Sequence, residues 1–77
     1  MATVMEPKRA TRSVAKVIEI TAESSESFED AIQCGIEKAT ETVHEIRSAW
    51  VAGQQVTVQD GKVAAYRVDL KVTFVLD

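Results

Sequence analysis

Residues Ser24–Ile46 read SSESFEDAIQCGIEKATETVHEI. Apolar side chains recur at Phe28, Ala31, Ile32, Ile36, Ala39, Val43 and Ile46, the spacing that lines one face of an α-helix. The pattern predicts a helix from Ser24 to about Arg47. Ser24 or Ser25 is the expected cap, because a serine oxygen can accept from the free amides of a first helical turn. Glu26, Glu29 and Asp30 then lie near the positive end of the helix dipole. VAKVIEI (14–20) precedes this stretch, and WVAGQQVTV (50–58) and AAYRVDLKVTFVLD (64–77) follow it. The order is strand, helix, strand, strand, an α+β chain. One helix can shield only one face of a three-stranded sheet. Function is therefore sought on the other face.

Working outward, the first strand is expected over Ser13–Ala22, with Val14, Ile18 and Ile20 apolar and Val17 blurring the alternation. Ala49–Gln59 reads as the second strand. Ala49 and Val51 share one parity, Val56 and Val58 the opposite one, so the phase slips between Ala52 and Gln55. A β-bulge near Gly53 accounts for the slip. Asp60-Gly61 marks a tight hairpin, because glycine accepts the positive φ that such turns need. The third strand, Val63–Leu76, alternates cleanly. Tyr66, Val68, Leu70, Val72, Phe74 and Leu76 are assigned to the helix, and Arg67, Asp69, Lys71, Thr73 and Val75 to the opposite face.

The 77 residues suffice for one domain, with a core too small to be comfortable alone. A single cysteine excludes an internal disulfide, and no residue pair has structural-zinc spacing. Association with further copies is the remaining device. The formal net charge is −3, unevenly placed. Lys8, Arg9, Arg12 and Lys16 outweigh Glu6 in the first 16 residues, and the remainder carries five basic against eleven acidic groups. Residues 1–12, which include the only proline, are expected to form a flexible basic arm, and residues 13–77 the folded domain. An acidic body argues against nucleic acid as the partner. No apolar run reaches membrane-spanning length, and MATVMEPKRATRS lacks the apolar middle of a signal peptide. With a free thiol as well, the cytoplasm is the expected compartment.

The uncovered face is expected to carry Ser48, Trp50, Gln54 or Gln55, Arg67, Asp69 and Lys71. An indole beside polar groups can stack on a planar ligand while its neighbours bond the ligand's edge. The alternative is packing at a protein interface, with Arg67 and Asp69 as ion-pair partners. Catalysis finds little support. His44, the only histidine, is expected near the helix end and off the apolar stripe. Cys34 has no histidine one turn away and reads as a buried or interface thiol. Glu37, Glu41 and Glu45 form a row at four-residue spacing. One helix face supplies too few oxygens for a hard cation, but copies meeting at a symmetry axis would multiply them.

Between Val14 and Leu76 the chain resembles the dodecins, small flavin-binding proteins that assemble as hollow shells of twelve subunits. The likeness rests on KVIEI at Lys16–Ile20, on Ser24 at the helix start, and on Ala31, Ile32, Gln33 and Gly35, followed by Ala39 and Thr42. It continues in YRVDLKVTFVL at Tyr66–Leu76. The resemblance implies a β-α-β-β chain, a three-stranded antiparallel sheet packed on one long helix, in a hollow homododecamer without catalytic turnover. It implies riboflavin or FMN held at subunit interfaces, with Trp50, Arg67, Gln54, Gln55 and Ser48 as contacts. The family's stacking tryptophan aligns with Ser48, two residues before Trp50 on the same strand face, and its edge-binding glutamine aligns with Arg67. Tyr66-Arg67 and the hairpin length are similar to a dodecin-like branch that lacks the tryptophan and binds calcium. For that branch the resemblance implies calcium or magnesium, with Glu37, Glu41, Glu45 and Asp69 as candidate ligands.

Overall fold

The computed structural model describes residues 12–76. All but the last residue of the expected basic arm, and Asp77, lie outside the described residues. The elements are β1 (Val14–Ser24), α1 (Phe28–Thr40), β2 (Ile46–Gln59) and β3 (Lys62–Leu76). They build one antiparallel sheet in the order β1-β3-β2, with α1 across one face. The β-α-β-β reading is therefore correct. β3 is central because the Asp60-Gly61 turn sends it back along β2, while the helix brings β1 to its other edge. Both turn residues have positive φ, 54° and 75°, as the tight hairpin requires.

The core forms where α1 meets β3. Ala31, Val68, Leu70 and Val72 are fully buried, and Ile18, Ile20, Phe28, Ile32 and Ile36 pack around them. Gly35 is buried among them. A methyl there would stand 3.0 Å from Leu70 Cδ1 and 3.1 Å from Ala22 Cβ, so glycine lets the helix approach the sheet closely.

The helix is much shorter than its apolar period. Ser27, not Ser24 or Ser25, caps it, with Oγ accepting from the Asp30 amide at 2.9 Å. Ser24 closes β1 instead; its hydroxyl donates to Asp30 Oδ2 at 2.6 Å and accepts from the Glu26 amide at 2.9 Å. At the other end α1 stops at Thr40, where Glu41 and Thr42 turn back onto Lys38 and Ala39 carbonyls. Thr40, Thr42 and Val43 are β-branched and weak helix formers. Glu45 adopts a left-handed φ of 59°, and its carbonyl accepts from the Val75 amide at 3.2 Å. Ile46 thus begins β2 and pairs with Phe74, where the stripe had placed it on the helix. His44 and Arg47 likewise leave the helix end, His44 for an exposed loop and Arg47 for β2. Among the described residues no helix is long and apolar enough to cross a membrane.

Candidate ligand-binding site

Strand register decides what the uncovered face displays. Across the order β1-β3-β2, one rung joins Glu19, Lys71 and Trp50, the next Thr21, Asp69 and Gly53, and a third Glu23, Arg67 and Gln55. Val17, Thr73 and Ser48 form the rung on the other side of Trp50. Cross-strand partners share a face, so these side chains stand together on the side away from α1. The expected placement of Ser48, Trp50, Arg67, Asp69 and Lys71 matches this register.

The register slips between Val51 and Gly53, leaving Ala52 as the extra residue of the expected bulge. It also resolves the open choice between the glutamines. Gln55 pairs with Arg67 on the bare face, whereas Gln54 pairs with Val68, whose parity is the helix side. Gln54 is thereby separated from Trp50.

Trp50, Arg67 and Asp69 each have a definite neighbour on this face. Trp50 is 67% exposed, and Lys71 Nζ stands 5.3 Å from its ring centroid, within cation–π range. Arg67 does not pair with Asp69. Its Nη2 and Nε reach Glu23 Oε1 at 3.1 and 3.2 Å. Asp69 instead accepts from Thr21 Oγ1 at 3.0 Å, and its other oxygen lies over Gly53, where a Cβ would come within 3.1 Å. Glu19, Thr21 and Glu23 were missing from the sequence reading of this face. Their signal was the alternation with Ile18, Ile20 and Ala22, which becomes legible once β1 is carried to Ser24.

The expected acidic row is broken. Glu37 lies within α1, Glu41 caps it, and Glu45 stands in the loop beyond, bonded to Arg47 at 3.2 Å. Glu41 pairs with Lys38 at 3.6 Å, and Glu37 accepts from Gln33 at 3.2 Å. Asp69 lies on the opposite side of the sheet. Among the described residues no three His, Cys, Asp or Glu side chains cluster as a metal site within one chain. Cys34 is free and exposed in the single chain, so of the two expected positions, buried or interface, the buried one does not hold.

Comparison with known proteins agrees with this architecture. The family model for Dodecin matches residues 14–77. The calcium dodecin of Mycobacterium tuberculosis is 37% identical over 62 residues, 80% of this chain and 87% of its own. A crystal structure of that calcium-chelating antigen, described with a novel calcium-binding site, superposes with a TM-score of 0.73 at 38% identity, covering 84% of this chain and 93% of its own. The dodecin from Streptomyces davaonensis superposes with a TM-score of 0.82 at 31% identity, covering 87% of this chain and 98% of its own. An arginine-to-alanine mutant of the Thermus thermophilus dodecin gives 0.81 at 30% identity, with coverages of 86% and 98%. Matched over nearly all its described length, and folded as these proteins are, the chain belongs to the dodecin family.

Proposed function

We propose that this chain is a non-catalytic, ligand-binding subunit of a cytoplasmic homododecameric shell that holds riboflavin or FMN at the seams between copies. The observation that carries this reading is Trp50. A tryptophan 67% exposed, on a sheet face that no element among the described residues covers, is a surface waiting for an apolar partner. An isoalloxazine ring fits the residues around it. Its ring N–H needs an acceptor and its carbonyls need donors. Arg67 supplies donors only, but the Gln55 amide beside it supplies both. Trp50 and Gln55 oppose Lys71 and Arg67, about 13 Å apart along β3 at the usual rise per residue. A ring stacked on Trp50 therefore takes its edge contacts from a second copy, and the seam is part of the pocket.

The test is the absorption spectrum of the purified protein, with quenching of added riboflavin and FMN fluorescence. Trp50→Ala is expected to weaken flavin binding about tenfold or more, the loss of one aromatic stacking contact. Unchanged affinity in that variant would remove the stacking role.

A calcium-binding shell without flavin is favoured by a separate observation, the likeness to a protein named calcium dodecin. Hard cations want several oxygens. One chain gathers too few, so Asp69, or Glu37, Glu41 and Glu45, would act only where copies bring them together. Calcium that raises the melting temperature of the wild type but not of Asp69→Asn, in protein that leaves flavin fluorescence intact, would establish this reading over the first.

A further inference from the structure

The rung formed by Glu23, Arg67 and Gln55 holds the only cross-strand ion pair among the described residues. Arg67 lies on the central strand, with Glu23 on one side and Gln55 on the other. Both of its contacts, from Nη2 at 3.1 Å and from Nε at 3.2 Å, end on one oxygen, Glu23 Oε1. Oε2 of Glu23 and Nη1 of Arg67 have no hydrogen-bond partner among the described residues. The Arg67 and Glu23 side chains remain 43% and 45% exposed, so a molecule resting on the sheet reaches both.

An exposed pair of this kind adds little to stability. Its surroundings nevertheless hold it in one arrangement. Asp69, the only carboxylate on β3, is taken by Thr21 and lies over Gly53, so it does not compete for the guanidinium. Ser24, the residue after Glu23, is buried and bonded to Asp30 and to the Glu26 amide, which fixes the end of β1. Ser24 pairs with Tyr66, the residue before Arg67. Tyr66 in turn meets Phe28 edge-on at 5.1 Å between ring centres. Glu23 and Arg67 are thus carried by anchored backbone on both strands.

A donor and an acceptor held side by side recognise a carbonyl next to an N–H. A glutamine amide does this within one residue, and an arginine beside a carboxylate does it with two. We propose that Glu23 contacts the ligand and, with Arg67, binds the imide edge of a flavin ring. Arg67 donates to a ring carbonyl, and Glu23 Oε2 accepts from the ring N–H that lies between the two carbonyls. This rests on the flavin reading above and names what that site selects. Arg67 alone offers no acceptor, and a carboxylate is a stronger acceptor than the neutral Gln55 amide. The guanidinium beside the carboxylate keeps the pair neutral, so an uncharged ring edge buries no unpaired charge. The ligand class is a planar ring with an N–H flanked by carbonyls. A ring alkylated at that nitrogen is refused, because Oε2 would face a methyl group and exchange its water for no hydrogen bond.

The probes are riboflavin and N3-methylriboflavin, which differ only at that N–H. Each is titrated with the full chain and followed by its fluorescence. The wild type is expected to bind riboflavin about tenfold or more tighter than the methylated ring, the loss of one charge-assisted hydrogen bond. Glu23→Ala is expected to weaken riboflavin by a similar factor with little change for N3-methylriboflavin, so the preference disappears. Glu23→Gln keeps an oxygen acceptor and is expected to retain part of the preference. Circular dichroism and mass in solution are expected to stay as in the wild type, because the pair is exposed. Equal weakening of both ligands by Glu23→Ala would make Glu23 a brace for Arg67 and overturn the inference. A wild type that binds the two rings alike would overturn it and leave flavin binding standing. A wild type that binds neither would remove the flavin reading and this inference with it.

Discussion

Adding a methyl group at Gly35 brings it against Leu70 and Ala22, both part of the packed layer under the helix. Alanine is the better helix former by up to about 1 kcal/mol, but overpacking a closed core costs about 1–3 kcal/mol. The second effect wins, and Gly35→Ala is expected to shift the urea midpoint downward. Trp50→Ala is the opposite kind of change. The indole is mostly exposed, so the stability of the isolated chain is expected to move by less than about 0.5 kcal/mol, and the loss is felt in ligand binding instead. Trp50, Arg67, Asp69 and Lys71 were legible as one face because alternation in β3 is unbroken from Tyr66 to Leu76. Gln55 was not separable from Gln54, since one extra residue at Ala52 reverses every assignment after it. Glu23 escaped notice because the residue that gives it meaning, Arg67, is 44 positions away and meets it only through the strand order.

The helix shows how a correct period can carry wrong ends. Phe28, Ala31, Ile32, Ile36 and Ala39 do face the sheet. Val43 and Ile46 keep the same spacing but lie past the end, and Ile46 reaches the core as an extended residue beside Phe74 instead of a helical one. Three nearby serines were each fit to cap, and only the extended backbone at Ser27 points a hydroxyl at the Asp30 amide. Ser27→Ala is expected to cost about 1 kcal/mol of stability in chemical denaturation, the usual loss of an N-cap. Ser25→Ala is expected to stay within about 0.5 kcal/mol of the wild type. Glu45 marks where the chain turns from helix to strand, yet no glycine or proline announced it in the sequence.

In the whole molecule the governing quantity is a mismatch of lengths. α1 has 13 residues and is about 20 Å long at the helical rise, while β3 has 15 and reaches about 50 Å at the strand rise. The sequence made the layers legible but not this difference, because the apolar period ran on past Thr40 and stretched the helix. Sister copies are the expected cover for the ends, so the thermal midpoint should climb with protein concentration, as it does when folding and association are linked. A midpoint constant over a hundredfold dilution would contradict that. The overhanging ribbon also makes Lys62 a marker of solitude. A lone copy opens there readily, since two paired strands are all that hold it, and trypsin can nick the chain after that lysine. Where sister copies cover the ribbon, the same bond is expected to be shielded. A digestion timed against assembly is expected to show cutting fade as copies find one another.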